Sequence, residues 1–325
     1  MRRILFLASS MIISFASFLH AQELSNITAA FVDPGIGARA QALGGAYTAI
    51  ANGAGAVFWN PAGLAANEGK SVEFSHLNQF SLLAYNAFAG TFNLHQTHAF
   101  GLGVVTNGDQ QMRETTALLS YAVNGEDLLP GVLRNLKIGA SLKYHTTGFG
   151  QNGFDPDAYS LFTSEEIADA QNVFVSGDAS GIGLDLGFIY AHNNKLHFGL
   201  SWQNLVSALS WNNGQESYSE RIPQGLALGM AYLAYPGFLL SMDYDNSLST
   251  DRANQLKFGA ERVFLRHFAL RGGVGQALAA NTDRSYTMGL GLAHNLANFA
   301  NVNLDYAYHI HPLADSHRFS VGLRF

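Results

Sequence analysis

Alternation with a period of two residues runs from Ser71 to Phe325, and it limits the folds open to the chain. In Arg284–His294, Tyr286, Met288, Leu290 and Leu292 alternate with Ser285, Thr287, Gly289 and Gly291. In Asn301–His309, Val302, Leu304, Tyr306 and Tyr308 alternate with Asn301, Asn303, Asp305 and Ala307. In Arg318–Phe325, Phe319, Val321, Leu323 and Phe325 alternate with Arg318, Ser320, Gly322 and Arg324. Successive side chains of a strand point to opposite faces. Each segment is therefore a strand with one apolar, aromatic face and one polar or small face. The same reading places strands at about 71–78, 83–93, 96–106, 113–123, 135–146, 181–191, 195–205, 222–234, 238–245, 254–263, 268–275, 284–294, 300–309 and 317–325. These number fourteen, with lengths near the roughly 9–11 residues a tilted membrane-spanning strand needs.

A soluble sandwich can alternate in the same way, so composition decides between the two. Charged residues make up 13% of the chain, about half the usual ~25% of a soluble domain. An outer face this poor in charge suits lipid. Connections at 94–95, 192–194, 235–237, 264–267 and 295–299 are tight, with 124–134 the exception. Those at 107–112, 147–180, 206–221, 246–253, 276–283 and 310–316 are mostly longer. Short periplasmic turns and long outer loops are the habit of outer-membrane barrels. The expected fold is an all-β, transmembrane antiparallel barrel of about fourteen strands, in the outer membrane of a Gram-negative bacterium.

Two segments precede the barrel. Arg2, Arg3 and the apolar run Ile4–Leu19 form the charged and apolar regions of a secretory signal, with Ala21 before a cleavage point at Gln22. The apolar run is shorter than the roughly 20 residues of a helical span. The expected division is thus 1–21 signal peptide, 22–70 plug segment and 71–325 barrel. Within the second part, Ala38–Ala65 (ARAQALGGAYTAIANGAGAVFWNPAGLA) is rich in Ala and Gly and carries one charge, Arg39. Small residues allow close packing against surrounding walls, and Asn60-Pro61 is a stop or turn signal. A compact Gly/Ala segment ahead of a long β region reads as a plug threaded into the barrel.

This stretch resembles the N-terminal signature of the PorV/PorQ family, outer-membrane proteins tied to type IX secretion. That family is in turn similar to the FadL-type transporters. The resemblance covers under a tenth of the chain and rests on Ala38, Arg39, Ala40, Leu43, Gly44, Gly45, Ala46, Asn60, Pro61, Ala62, Gly63 and Leu64. It implies a fourteen-stranded plugged barrel with a non-enzymatic role, binding exported cargo or secretion components. The alternative it leaves open is a FadL-like channel for hydrophobic small molecules.

Candidate chemistry is sparse. Gly35-Ile36-Gly37-Ala38-Arg39-Ala40 matches a dinucleotide fingerprint formally, but lacks the βαβ unit that gives the motif meaning. His309 and His311 offer two imidazoles with no evident third ligand, and no Gly-x-Ser-x-Gly elbow or His-Glu-x-x-His helix occurs. Cys is absent and the net charge is −6, so neither thiolate metal sites nor a nucleic-acid footprint is expected. The reading is no enzyme and no cofactor, with membrane lipid and secretion partners as the contacts. Alternation turns Lys137, Lys143, Asp185, Asp243, Asp245, Lys257, Glu261, Arg271, Asp305, Arg318 and Arg324 inward, both signs together. Such a mixture suits a structural network that anchors the plug, with Arg39 as a partner, better than a one-signed ion filter. Loop 147–180 interleaves Phe154, Tyr159 and Phe162 with Asp155, Asp157, Glu165, Glu166 and Asp178, without Lys or Arg. By its residues it reads first as a solvated outer loop and second as a docking surface, and the resemblance implies that cargo or partners dock on such outer loops. Terminal Phe325 resembles the strand signal read by barrel-assembly machinery.

Overall fold

The computed structural model describes residues 35–66, 69–79, 83–94, 97–108, 112–131, 133–149, 177–212, 217–248, 253–279, 284–296, 299–311 and 314–325. The signal segment 1–21 and the loop residues Phe154, Asp155, Asp157, Tyr159, Phe162, Glu165 and Glu166 lie outside the described residues.

Fifteen strands follow one another: β1 Lys70–Gln79, β2 Leu83–Leu94, β3 His98–Gly108, β4 Met112–Asn124, β5 Leu136–Phe149, β6 Gly177–Ala191, β7 Leu196–Asn212, β8 Ser217–Glu220, β9 Gly225–Tyr235, β10 Phe238–Ser247, β11 Gln255–Phe264, β12 Phe268–Ala277, β13 Arg284–Leu296, β14 Ala300–Ile310 and β15 Ser316–Arg324. All but the four-residue β8 form a closed antiparallel ring of fourteen, because β1 pairs with β15, β6 with β7 and β7 with β9. Closure leaves no strand edge to be covered in lipid. Phe325 completes the seam: its N–H donates to the Lys70 carbonyl at 2.8 Å, and its ring meets Phe299 edge-on at 5.7 Å.

The alternation sorts the faces as the residues require. Tyr286, Leu290, Leu304 and Val321 are exposed on the outside, while Asp305 is half-buried and Arg318 is buried. Tyr306 shares the outer face but is half-buried, since Phe319 and His317 pack against its ring.

Three strands run further than their sequence patterns suggest. β5 reaches Phe149 and β6 begins at Gly177, so the loop between them is 150–176 and Asp178 stands exposed on β6. β7 reaches Asn212, with β8 folded back on its end. The polarity of β7 inverts there: Leu209 and Trp211 turn away from the lipid face to pack with Ala179 and Ile222. An apolar cluster on the inner side breaks the rule that apolar residues face out, which hides the strand. β9 correspondingly starts at Gly225 rather than 222. Where β7 bulges opposite Asp185, Asn204 takes φ 53°, and its N–H donates to Asp185 Oδ1 at 2.8 Å. Lys143 closes the group with an ion pair to Asp185 at 2.7 Å.

Candidate functional site

Residues 35–66 lie inside the ring with little regular structure: α1 Ala38–Ala42, α2 Ala56–Trp59 and a 3₁₀ turn Pro61–Ala66. Asn60 is extended at φ −153°, so it ends α2 where Pro61 starts the next turn. A buried segment of this kind must find partners for its backbone polar groups. The inner face of the wall supplies them with short polar side chains. Ser320 Oγ accepts from Ala38 N–H at 2.8 Å, and Thr287 Oγ donates to the Ala42 carbonyl at 3.2 Å. Asp243 Oδ2 accepts from the N–H groups of Tyr47 and Thr48, at 2.9 and 2.8 Å. Ser201 Oγ donates to the Trp59 carbonyl at 2.9 Å. Asn60 is fully buried; its amide donates to the Thr48 carbonyl at 2.9 Å and reaches the carbonyls of Phe188 and Leu200 at 3.2 and 3.3 Å.

Glycines let the segment come this close. A Cβ on Gly139 would lie 2.4 Å from Ala62 N, one on Gly187 2.1 Å from Asn60 Oδ1, and one on Gly199 2.6 Å from the Thr48 carbonyl. On the opposite wall, Gly259 and Gly273 would strike Leu43 O at 2.6 Å and Gly44 N at 2.2 Å. Gly44 itself needs its lack of a side chain twice. Its φ is +68°, which costs an L side chain strain, and a Cβ there would sit 2.9 Å from Val274 N. The segment and the wall therefore touch backbone to backbone around much of the circumference.

A charge chain completes the attachment. Arg39 makes a two-pronged pair with Glu261, Nε to Oε2 and Nη2 to Oε1, each at 3.0 Å. Glu261 also receives Arg271 Nε at 2.6 Å, and Arg271 Nη1 reaches Asp305 at 2.5 Å. Arg39 lies 5.6 Å over the Tyr47 ring, which meets Trp59 edge-on at 5.8 Å. Lys257 pairs with Asp245 beside Gly45. Between segment and wall remains a cavity of about 340 Å³, lined by Arg39, Glu73, Glu261, Arg271, Asp305 and Arg324 among others.

All twelve signature residues from Ala38 to Leu64 thus fall within the segment held inside the ring. The inward charges also meet as expected, in the Lys143–Asp185 pair and the Arg39–Glu261–Arg271–Asp305 chain. The sequence reading missed the wall glycines and the role of Asp243 as an acceptor for the segment's backbone. The signal was present: Gly187, Gly199, Gly259 and Gly273 all sit at inward positions of the alternation. His309 and His311 have ring centroids 5.7 Å apart, and among the described residues no group of three His, Cys, Asp or Glu could hold a metal ion. No described helix is long and apolar enough to cross a membrane.

The profile of the type IX secretion system membrane protein PorP/SprF family matches residues 54–262, well over half of the chain. The protein belongs to the PorP/SprF family. Its match begins at Ala54, inside the Gly/Ala stretch, and ends in β11. Among curated proteins no sequence matches. Solved structures share the fold of this PorP/SprF protein at low identity. The CymD monoaromatic hydrocarbon channel is 17% identical, with 89% of this chain and 96% of that chain covered and a TM-score of 0.57. The Pseudomonas putida toluene transporter TodX is 15% identical over 87% and 96%, at 0.55. A Pseudomonas aeruginosa FadL homologue is 11% identical over 86% and 95%, at 0.55. The PorP/SprF protein is therefore an outer-membrane barrel of a type IX secretion family, and its fold resembles that of these channels.

Proposed function

We propose that this PorP/SprF-family barrel is a plugged, non-enzymatic docking scaffold of type IX secretion, which binds exported cargo or partner proteins. Under this reading residues 22–70 form one plug unit ahead of the barrel at 71–325, following a cleaved signal at 1–21. The loop residues Phe154, Asp155, Asp157, Tyr159, Phe162, Glu165 and Glu166 form the outer docking surface, and Phe325 serves as the assembly signal. A closer kinship with PorV/PorQ rests on the stretch Ala38–Ala65.

One observation carries the scaffold reading: the inner segment is fastened to β6, β7, β10 and β11 by Asn60, Asp243 and the bidentate Arg39–Glu261 pair. A segment that moved to admit solutes would have to break these contacts together. The second reading, a channel for hydrophobic small molecules, is favoured by the CymD and TodX likeness. Its difficulty is the cavity, where guanidinium and carboxylate groups would be desolvated by a hydrocarbon at high cost.

Affinity isolation of the tagged protein from outer membranes in mild detergent, followed by mass spectrometry, tests the choice. The scaffold reading expects type IX components or exported cargo at near-stoichiometric yield. A barrel that purifies alone, and whose liposomes take up toluene, would instead favour the channel.

A further inference from the structure

The cavity between the inner segment and strands β1 and β11–β15 holds more positive than negative charge. Its lining includes four arginines (Arg39, Arg266, Arg271 and Arg324) against three acids (Glu73, Glu261 and Asp305). The interior chain consumes two of the arginines and two of the acids, since Arg39 and Arg271 bind Glu261 and Arg271 also binds Asp305. Glu73 accepts from Ser75 Oγ at 3.4 Å.

The other two arginines are unspent. Among the described residues no hydrogen bond or ion pair reaches the guanidinium of Arg324 or of Arg266. Arg324 Nε is buried without a partner, and one of its terminal nitrogens lies 3.9 Å from where a Cβ on Gly53 would stand. Arg266 stands exposed in the tight turn between β11 and β12, at the same end of the barrel. A buried guanidinium donor left unmade is costly, and its natural complement is a planar carboxylate.

We propose that this cavity is a carboxylate-binding site, entered from the end of the barrel that carries the 265–267 turn, with Arg324 as its inner anchor and Arg266 at its mouth. The carboxylate comes from a small free acid or from an acidic side chain of a peptide. The arginines of the lining recognise the carboxylate group. This inference does not depend on the scaffold reading, because a channel lumen with the same arginines would bind the same group.

The test uses the full-length barrel purified in detergent, with a fluorescent Gly-Glu repeat peptide as one probe and sodium acetate as its competitor. Arg324→Gln and Arg266→Gln are compared with Arg221→Gln, an exposed arginine outside the cavity. Loss of one charge-assisted contact should weaken peptide binding about tenfold or more, while Arg221→Gln leaves it unchanged. The matching Gly-Gln peptide should not bind. Competition by acetate alone, abolished in Arg324→Gln, assigns the site to free acids; binding by the peptide without acetate competition assigns it to a peptide. Arg324→Lys, which keeps the charge, controls for misfolding and should recover part of the affinity. Equal binding by wild type and both cavity variants, or no binding of either probe, overturns the proposal.

Discussion

Glu261→Gln should destabilise the barrel by about 3–5 kcal/mol, the usual loss when one partner of a buried ion pair is removed. Glu261 and Arg271 side chains are only 8% and 6% exposed, so the exposed-pair value of about 0–1 kcal/mol does not apply. Arg271 would retain Asp305, but Arg39 would lose both of its short contacts to carboxylate at once. Those contacts join the inner segment to β11, so the segment should loosen before the strands separate. Urea titration in lipid reads both events, with the fluorescence of Trp59 in a background of Trp202→Phe and Trp211→Phe for the segment and far-ultraviolet circular dichroism for the strands. The double variant Glu261→Gln with Arg271→Gln should lose less than the sum of the two singles, because neighbouring members of one network are not additive. A loss under about 1 kcal/mol would mean that the network is hydrated and contributes as a surface pair does.

Leu304→Arg is expected to cost about 2–4 kcal/mol, the penalty of a cation on the lipid face near mid-bilayer. Leu304 lies midway along β14, is 44% exposed, and is flanked across the ladders by Leu292 and Val321. Asn303→Arg, one residue away, should be much milder, because Asn303 borders the cavity two positions from Asp305. Folding titrations of the two variants in the same lipid compare them directly. The reverse order would mean that the strand presents its other face to lipid.

The ring was legible in the sequence because lipid outside and a polar interior enforce strict alternation. Tyr286, Leu290 and Leu304 fell on the outer face, and Asp305 and Arg318 on the inner one, from that pattern alone. The pattern failed at β7, where Leu209 and Trp211 turn inward against Ile222. Local alternation cannot report an apolar cluster formed with residues some thirty positions away at Ala179. The inner segment was legible as something small that packs closely. Its attachment was not, since Asp243 reaches Tyr47 and Thr48 across 195 positions or more of sequence. Nor does an inward glycine announce which backbone it admits. Gly273 and Gly44 meet only because the ring closes.

A disulfide across the interface tests the central claim of a fixed inner segment most directly. The chain has no cysteine, and Ala38 and Ala307 are fully buried in one packed cluster with Ala42. Paired Cys substitutions at Ala38 and Ala307 should oxidise where their Cα atoms come within about 4.4–6.8 Å. The measurement is export of a type IX cargo by cells that depend on this barrel, with the crosslink oxidised and then reduced. A fixed segment predicts equal export in both states. Export that stops on oxidation and returns on reduction would contradict it and require the segment to move.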